Sequence, residues 1–253
     1  MHLHNERNSW GDPIGMTVAE RPRPQVPDEA IVLEGRHCRL EVLDADRHSV
    51  DLYQAYAKDV DGRLWTYIPN GPWTSHAQFD EWVRTAHHKA DPFFYAIIDS
   101  ANGKAVGIAS FLRVDPASQS IEVGWITYSP LMQRSPLSTE CMYLMMKYAF
   151  DMGYRRYEWK CNAMNRPSIE AAMRLGFSFE GLFRQATLVK GHNRDTAWFA
   201  ILDEDWPVAK AAFERWLHPD NFDGEGLQRE RLSDLTSPIV YDRWPVLRVT
   251  TDL

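Results

Sequence analysis

Ile121-Glu122-Val123-Gly124-Trp125, Gln133-Arg134-Ser135-Pro136-Leu137-Ser138-Thr139-Glu140, Asn165-Arg166-Pro167-Ser168 and Arg174-Leu175-Gly176-Phe177 follow one another in that order. The first lies in an alternating run, Ser120 to Tyr128, that reads as a strand. The second is a polar loop leading into a helix over Thr139–Met152. On that helix Cys141, Leu144, Met145, Tyr148, Ala149 and Met152 recur at helical spacing, and Gly153 ends it. A strand over Tyr157–Cys161 and a short helix over Arg166–Leu175, closed by Gly176, complete the run. Strand, polar loop and helix in this order suit an anion. The first amides of a helix have no partners within it, and its dipole favours negative charge there. Gln133 to Thr139 stands at that place, and Arg134 adds a positive charge.

Outward from this run, the preceding residues read as a meander. Phe93–Asp99 and Lys104–Val114 are strands joined by the turn Asn102-Gly103, whose residues tolerate positive φ. Earlier still, Gly35–Leu43 reads as a first strand and Asp44–Lys58 as a helix. A second helix starts from the cap Thr74-Ser75 and runs to about Lys89. The loop between the helices is rich in aromatics: Trp65, Tyr67 and Trp73. Downstream, Phe177–Arg184 and Thr196–Leu202 are strands and Trp206–Leu217 is a helix. Residues 1–30, with Pro13, Pro22, Pro24 and Pro27, read as a flexible arm. Residues 31–217 form the domain. Residues 218–253 are a polar extension without a clear period, in which Phe222 and Trp244 suggest packing on something.

The bulk composition narrows the function. The 253 residues are 44% hydrophobic, enough for one packed core, and carry a net charge of −7. That balance argues against nucleic-acid binding, which needs a basic face. No stretch reaches the ~20 apolar residues that cross a bilayer, and Met1–Pro27 lacks the apolar centre of a secretory signal. A soluble, cytoplasmic protein is expected, as a monomer or homodimer. Cys38, Cys141 and Cys161 fit neither a zinc spacing nor a disulfide framework and are expected to be buried thiols. No metal site is expected; His87 and His88, at a helix end, lack a third ligand.

Glu122 to Leu202 resembles the GNAT superfamily of acyl-CoA N-acyltransferases, most closely its Rim-type branch of ribosomal-protein N-terminal acetyltransferases. The four quoted pieces carry the likeness, together with Glu180-Gly181, Arg184, Asp195 and the exit Glu204-x-Trp206. The resemblance extends, more weakly, back to Ile31. It implies a mixed α/β fold with a mainly antiparallel seven-stranded sheet flanked by helices, whose fourth and fifth strands splay to admit acetyl-CoA. It implies direct attack of a primary amine on the thioester. Arg134, Ser135, Leu137, Ser138 and Thr139 are then the cofactor loop, and Asn165 bonds the pantetheine arm. The family loop carries glycine where Pro136 stands, so one amide donor is missing here.

Each implied role has a plainer alternative. Glu122 is the candidate base, directly or through a water, or only a pairing residue. Glu158 is a weaker candidate. Ser168 is the candidate donor to the departing thiolate, or part of a helix cap. Trp65, Tyr67 and Trp73 are an acceptor wall or a hydrophobic core beneath the first helices. Arg194 and Asp195 orient substrate or pair with each other at a hairpin. Acidic charge and the aromatic loop favour a cationic small-molecule amine as acceptor. A protein N-terminus is the competing acceptor, and a catalytically silent CoA-fold binding module is a third reading.

Overall fold

The structure is a computed structural model describing residues 5–87 and 89–245. Ahead of the domain, β1 (Asn5–Arg7) and β2 (Pro13–Gly15) make a small hairpin. The arm behind it follows the domain surface. Pro24 and Pro27 are buried, Gln25 donates its amide to the Met152 carbonyl, and Arg21 pairs with Asp203 at 2.8 Å.

The domain then runs β3 (Leu33–Glu34), β4 (Cys38–Val42), α1 (Ala45–Tyr56), α2 (His76–His87), β5 (Phe93–Asp99), β6 (Ala105–Asp115) and β7 (Ser120–Tyr128). After these come α3 (Pro136–Asp151), β8 (Arg156–Asn162), α4 (Arg166–Arg174), β9 (Ser178–Val189), β10 (His192–Leu202) and α5 (Trp206–Leu217). The strands form one sheet in the order β3-β4-β5-β6-β7-β8-β10-β9. Every neighbouring pair is antiparallel except β7 with β8. The count is eight rather than seven because Leu33–Glu34 adds a two-residue ladder against Leu40 and Arg39.

Strand alternation explains the two-sided core. On β5, Phe93, Tyr95 and Ile97 join the cluster under α3, α4 and α5, whereas Phe94, Ala96 and Ile98 join the cluster under α1 and α2. A strand apolar on both faces belongs in the middle of a helix–sheet–helix sandwich. Asp44 caps α1 by accepting from the Arg47 amide at 3.0 Å. Ser75 accepts from the Gln78 amide at the start of α2. Cys38, Cys141 and Cys161 are free and buried. No helix among the described residues is long and apolar enough to cross a membrane. His87 turns its ring to the Leu43 carbonyl; its neighbour His88 lies outside the described residues.

The C-terminal extension wraps the domain. It turns at Pro219–Asn221, bridges Phe222 to Gln228, forms α6 (Leu232–Thr236) and reaches Trp244. Leu232 and Ile239 are buried, Thr236 Oγ1 donates to the Arg174 carbonyl, and Trp244 packs edge-on against Phe179.

Candidate active site

β7 and β8 are paired only from Ser120↔Arg156 to Val123↔Trp159. Beyond that point they part. The β6–β7 register gains one residue on β7 between Ile108↔Thr127 and Ser110↔Gly124, and Trp125 takes φ 49°. This bulge bends β7 away from its parallel neighbour and leaves the β7-facing edge of Lys160–Asn162 open.

Two clefts meet at the opening. The first, about 1040 Å³, runs between the start of α3 and the face of α4. The second, about 580 Å³, lies among β6, β7, β8 and the β9–β10 hairpin. Tyr67, Ile68, Ile126, Trp159, Asn165 and Ser168 line both. A ligand in one cleft therefore meets a ligand in the other at the splay.

The first cleft is built from the polar loop. α3 begins three residues before the expected Thr139, because Ser135 is its N-cap and Pro136 its first residue. Proline fits that position, where its missing amide would be unpartnered anyway and its fixed φ is already helical. Pro136 therefore costs the helix nothing, although it leaves the loop one amide donor short. Arg134 takes φ 56°. The amides of Arg134, Ser135 and Leu137 have no partner among the described residues; that of Ser138 reaches Ser135 Oγ at 3.4 Å, and that of Thr139 enters the helical ladder of α3. Arg134, Ser135, Ser138 and Thr139 line the cleft, whereas the Leu137 side chain turns into the core, so only its amide can serve a ligand. Free amides, a helix dipole and an arginine at one spot fit a pyrophosphate.

α4 supplies the opposite wall. Asn165 caps it, with Oδ1 accepting from the Ser168 amide at 3.3 Å, which leaves Nδ2 to donate into the cleft. Ser168 Oγ accepts from Trp159 Nε1 at 3.0 Å. That bond orients the hydroxyl and leaves its own hydrogen to give. The capping alternative thus applies to Asn165, and Ser168 is the capped residue. At the far end of α4, Arg174 donates to Thr139 Oγ1 at 3.1 Å and stacks over Trp216 at 4.9 Å. Burial lowers its pKa, and it has no carboxylate partner among the described residues. Trp216 Nε1 donates to Gln228 of the extension at 2.8 Å, and Phe222, Leu227 and Gln228 line the cleft.

The second cleft is electrostatic. Glu122 and Glu158 stand side by side on β7 and β8, which fixes the face that alternation alone leaves open for Glu158. Lys160 Nζ lies 2.8 Å from Glu122 and 2.6 Å from Glu158, and 3.8 Å over the Trp198 ring. Arg113 also binds Glu122 Oε2, at 2.7 Å. Both cations meet that one oxygen, so Oε1 remains uncommitted. Burial raises the Glu122 pKa despite the opposing pull of Lys160 and Arg113. At Glu158 burial also works upward, but Lys160 and Arg156 outweigh it and hold the carboxyl low. Of the three aromatics expected as an acceptor wall, only Tyr67 lines a cleft. Trp65 is buried edge-on to Tyr56, and Trp73 packs on Phe79 and Trp82, both in the core under α1 and α2. The apolar lining of the second cleft is Phe183, stacked at 4.2 Å on Trp198, together with Trp125 and Leu188. Sequence reasoning gives no role to Arg113, Lys160 or Arg174, because only tertiary structure brings them to the clefts. No group of side chains suited to a metal ion occurs among the described residues.

The GNAT acetyltransferase domain family matches residues 39–178, more than half of the chain. The chain belongs to the GNAT acetyltransferases. A GCN5-related N-acetyltransferase from Brucella melitensis is 42% identical with a TM-score of 0.84, over 87% of this chain and all of that one. The ribosomal-protein-serine acetyltransferase of Escherichia coli K12 is 25% identical over 167 residues, 63% of this chain and 90% of its own length. RimL, a ribosomal L7/L12 alpha-N-protein acetyltransferase, superposes with a TM-score of 0.58 at 21% identity, over 68% of this chain and 94% of that chain. The sequence likeness to the Escherichia coli enzyme is what bears on the Rim-type resemblance, the RimL superposition shows the fold alone, and this GNAT protein is an acyl-CoA-dependent N-acetyltransferase.

Proposed function

We propose that the protein transfers an acetyl group from acetyl-CoA to the primary amine of a small molecule. The observation that carries this reading is the meeting of two clefts at the β7–β8 splay. Acetyl-CoA supplies the acetyl group activated as a thioester. The amides of Arg134, Ser135, Leu137 and Ser138, with the Arg134 and Arg174 guanidiniums, hold its phosphates in the first cleft. Asn165 Nδ2 donates to the pantetheine arm. The acceptor enters the second cleft, where Glu122 Oε1 takes a proton from its ammonium directly or through a water. Ser168 donates to the departing sulfur. Holding both reactants across the splay supplies much of the rate.

The size of the second cleft, about 580 Å³, suits a small molecule. The likeness to the ribosomal-protein-serine acetyltransferase favours a second reading, a protein N-terminus as acceptor. A catalytically silent module is the third reading; its support is the donor missing at Pro136, and against it stands the good fit of proline to the first helical position. Calorimetry with acetyl-CoA tests the cofactor reading. Micromolar binding, about −8 kcal/mol, is expected, weakened about tenfold in Asn165→Ala and not improved in Pro136→Gly. Absence of binding to acetyl-CoA and to longer acyl-CoAs would remove the enzymatic reading.

A further inference from the structure

The charges around the second cleft do not balance. Arg113, Glu122, Lys160, Glu158, Arg156 and Glu180 form one continuous chain of ion pairs, three cations with three carboxylates. That chain satisfies itself. Arg194 stands outside it. It lines the same cleft from β10, two residues before Thr196 and four before Trp198, which line it too. It makes no ion pair and no hydrogen bond with the described residues, and its Nε is fully buried without a partner. Nor does it pair with Asp195. That carboxylate accepts from the Gln185 amide at 2.7 Å and from Asn193 Nδ2 at 2.9 Å, at a bulge in the β9–β10 ladder.

A guanidinium half withdrawn from water with no ion pair, and only the longer-range pull of a Glu122 already held by Lys160 and Arg113, destabilises a fold. Burial accordingly lowers its pKa, although arginine stays charged at neutral pH. Such a group belongs where a ligand supplies the anion. Its planar fork matches a carboxylate through two parallel hydrogen bonds. Glu122 Oε1 is free in the same cleft to receive an ammonium proton. One cleft therefore offers a carboxylate partner and an ammonium partner. The same cleft is lined by the apolar side chains of Phe183, Trp198 and Leu188, of which Phe183 is 49% and Leu188 74% exposed.

We propose that Arg194 binds the carboxylate of the acceptor, and that the acceptor is a free α-amino acid with an apolar side chain, acetylated on its amine. This rests on the acetyl-transfer reading above and narrows its acceptor. The ammonium gives one proton to Glu122, directly or through water. The amine nitrogen bonds the acetyl carbon as the carbon–sulfur bond breaks; the sulfur leaves with the electron pair and takes the Ser168 proton, which the proton held on Glu122 replaces through water. The amine's second proton is released to solvent, so the products are the N-acetyl amino acid, CoA thiol and one net proton. Arg194 takes no part in these bonds; it fixes the acceptor. A polyamine, which brings only positive charge to Arg194, is disfavoured, so the cationic acceptor that net charge suggests gives way to a zwitterionic one.

Steady-state kinetics on the full chain with acetyl-CoA test this, using matched acceptors with and without a carboxylate: phenylalanine against phenethylamine, and lysine against cadaverine. Wild type is expected to favour the carboxylate member by at least about a hundredfold in kcat/KM. Arg194→Gln is expected to erase that preference through KM, with turnover of the amine lacking a carboxylate unchanged. Arg194→Lys is expected to restore part of it. Acetyl-CoA binding by calorimetry, unchanged in both variants, shows that they are folded. Failure of acetyl-CoA to bind wild type would overturn the acetyl-transfer reading itself. Binding of acetyl-CoA with equal or better turnover of phenethylamine or cadaverine would overturn the carboxylate site alone. So would equal loss on both members of a pair in Arg194→Gln. Peptides with an acidic second residue, used above all free amino acids, would overturn the free amino acid and assign Arg194 to a protein terminus.

Discussion

Glu122 and Lys160 form an ion pair at 2.8 Å with both side chains almost wholly shielded from water, at 4% and 6% exposure. Removing one partner of such a pair strands the other, so the pair stands or falls together. Lys160 is protected against this by its second carboxylate, Glu158 at 2.6 Å. Glu122 can therefore be varied without leaving Lys160 alone.

Glu122→Gln is expected to lower kcat/KM by about 10²- to 10³-fold, in the range of a lost general base, with acetyl-CoA affinity unchanged. The pH profile carries the sharper test. Burial raises the Glu122 pKa, so the acid limb of wild-type activity is expected above the usual carboxylate range. The base works only when ionised, so activity falls as pH drops through that value. The variant's residual activity is expected to lose this limb. A retained limb would return Glu122 to pairing alone.

Ser168→Ala removes the hydroxyl that accepts from Trp159 Nε1 and lines both clefts. A kcat loss of about ten- to a hundredfold is expected, with acetyl-CoA affinity within about threefold of wild type, as for one lost donor to developing charge. Leaving the indole nitrogen without an acceptor is expected to cost about 1–2 kcal/mol of stability as well, read in urea unfolding. A stability loss with unchanged kcat would make Ser168 a structural partner of Trp159 only.

What the sequence conveys depends on whether a feature is local. The α3 face from Cys141 to Met152 is legible because helical spacing repeats along it, and Asn165 with Ser168 because a cap is read within four residues. The aromatic loop is not legible. Trp65, Tyr67 and Trp73 lie on irregular backbone with no period, so nothing in sequence separates Tyr67, which lines the clefts, from two core tryptophans. Arg194 and Asp195 are adjacent and opposite in charge, which suggests a pair. The bulge between Arg194 and Thr196 sends them to different partners. The extension shows no period because it packs piecewise, at Phe222, Leu232, Ile239 and Trp244. Pro136 reads only as a missing donor in the sequence; that it also starts α3 is seen once the helix boundary is known.

Glu140 ties the cofactor loop to the far edge of the sheet. Its carboxylate accepts the amides of Arg36, His37 and Cys38 at 2.9, 2.5 and 2.9 Å. Gly35 permits this approach, since a Cβ there would lie 2.5 Å from Glu140 Oε2. Glu140→Ala leaves three amides in a part-buried turn without their acceptor. A loss of about 3 kcal/mol is expected, or a fall of about 6–12 °C in Tm for a domain of this size. A change under about 2 °C in calorimetry would show that the turn finds other partners.

Arg174 joins α4, the start of α3 and the C-terminal extension at the outer end of the first cleft. Its guanidinium is fixed by Thr139 Oγ1 on one side and the Trp216 ring beneath, yet no carboxylate among the described residues answers its charge. Arg174→Ala is expected to weaken acetyl-CoA binding about tenfold, about 1.4 kcal/mol, and to flatten its dependence on salt, because one cation fewer meets the phosphates. Arg174→Lys keeps the charge without the planar stack and is expected to fall between the two. Deleting residues 218–253 is a poorer probe of the same cleft. It removes Gln228 from Trp216 but also takes away the buried Leu232 and Ile239, exposing the core they cover, and removes Thr236 from the Arg174 carbonyl, so affinity and stability fall together. The point variants separate the two, since neither changes the buried face of α6. Unchanged affinity in Arg174→Ala with lowered Tm would make this arginine a clamp for the extension rather than a partner of the cofactor.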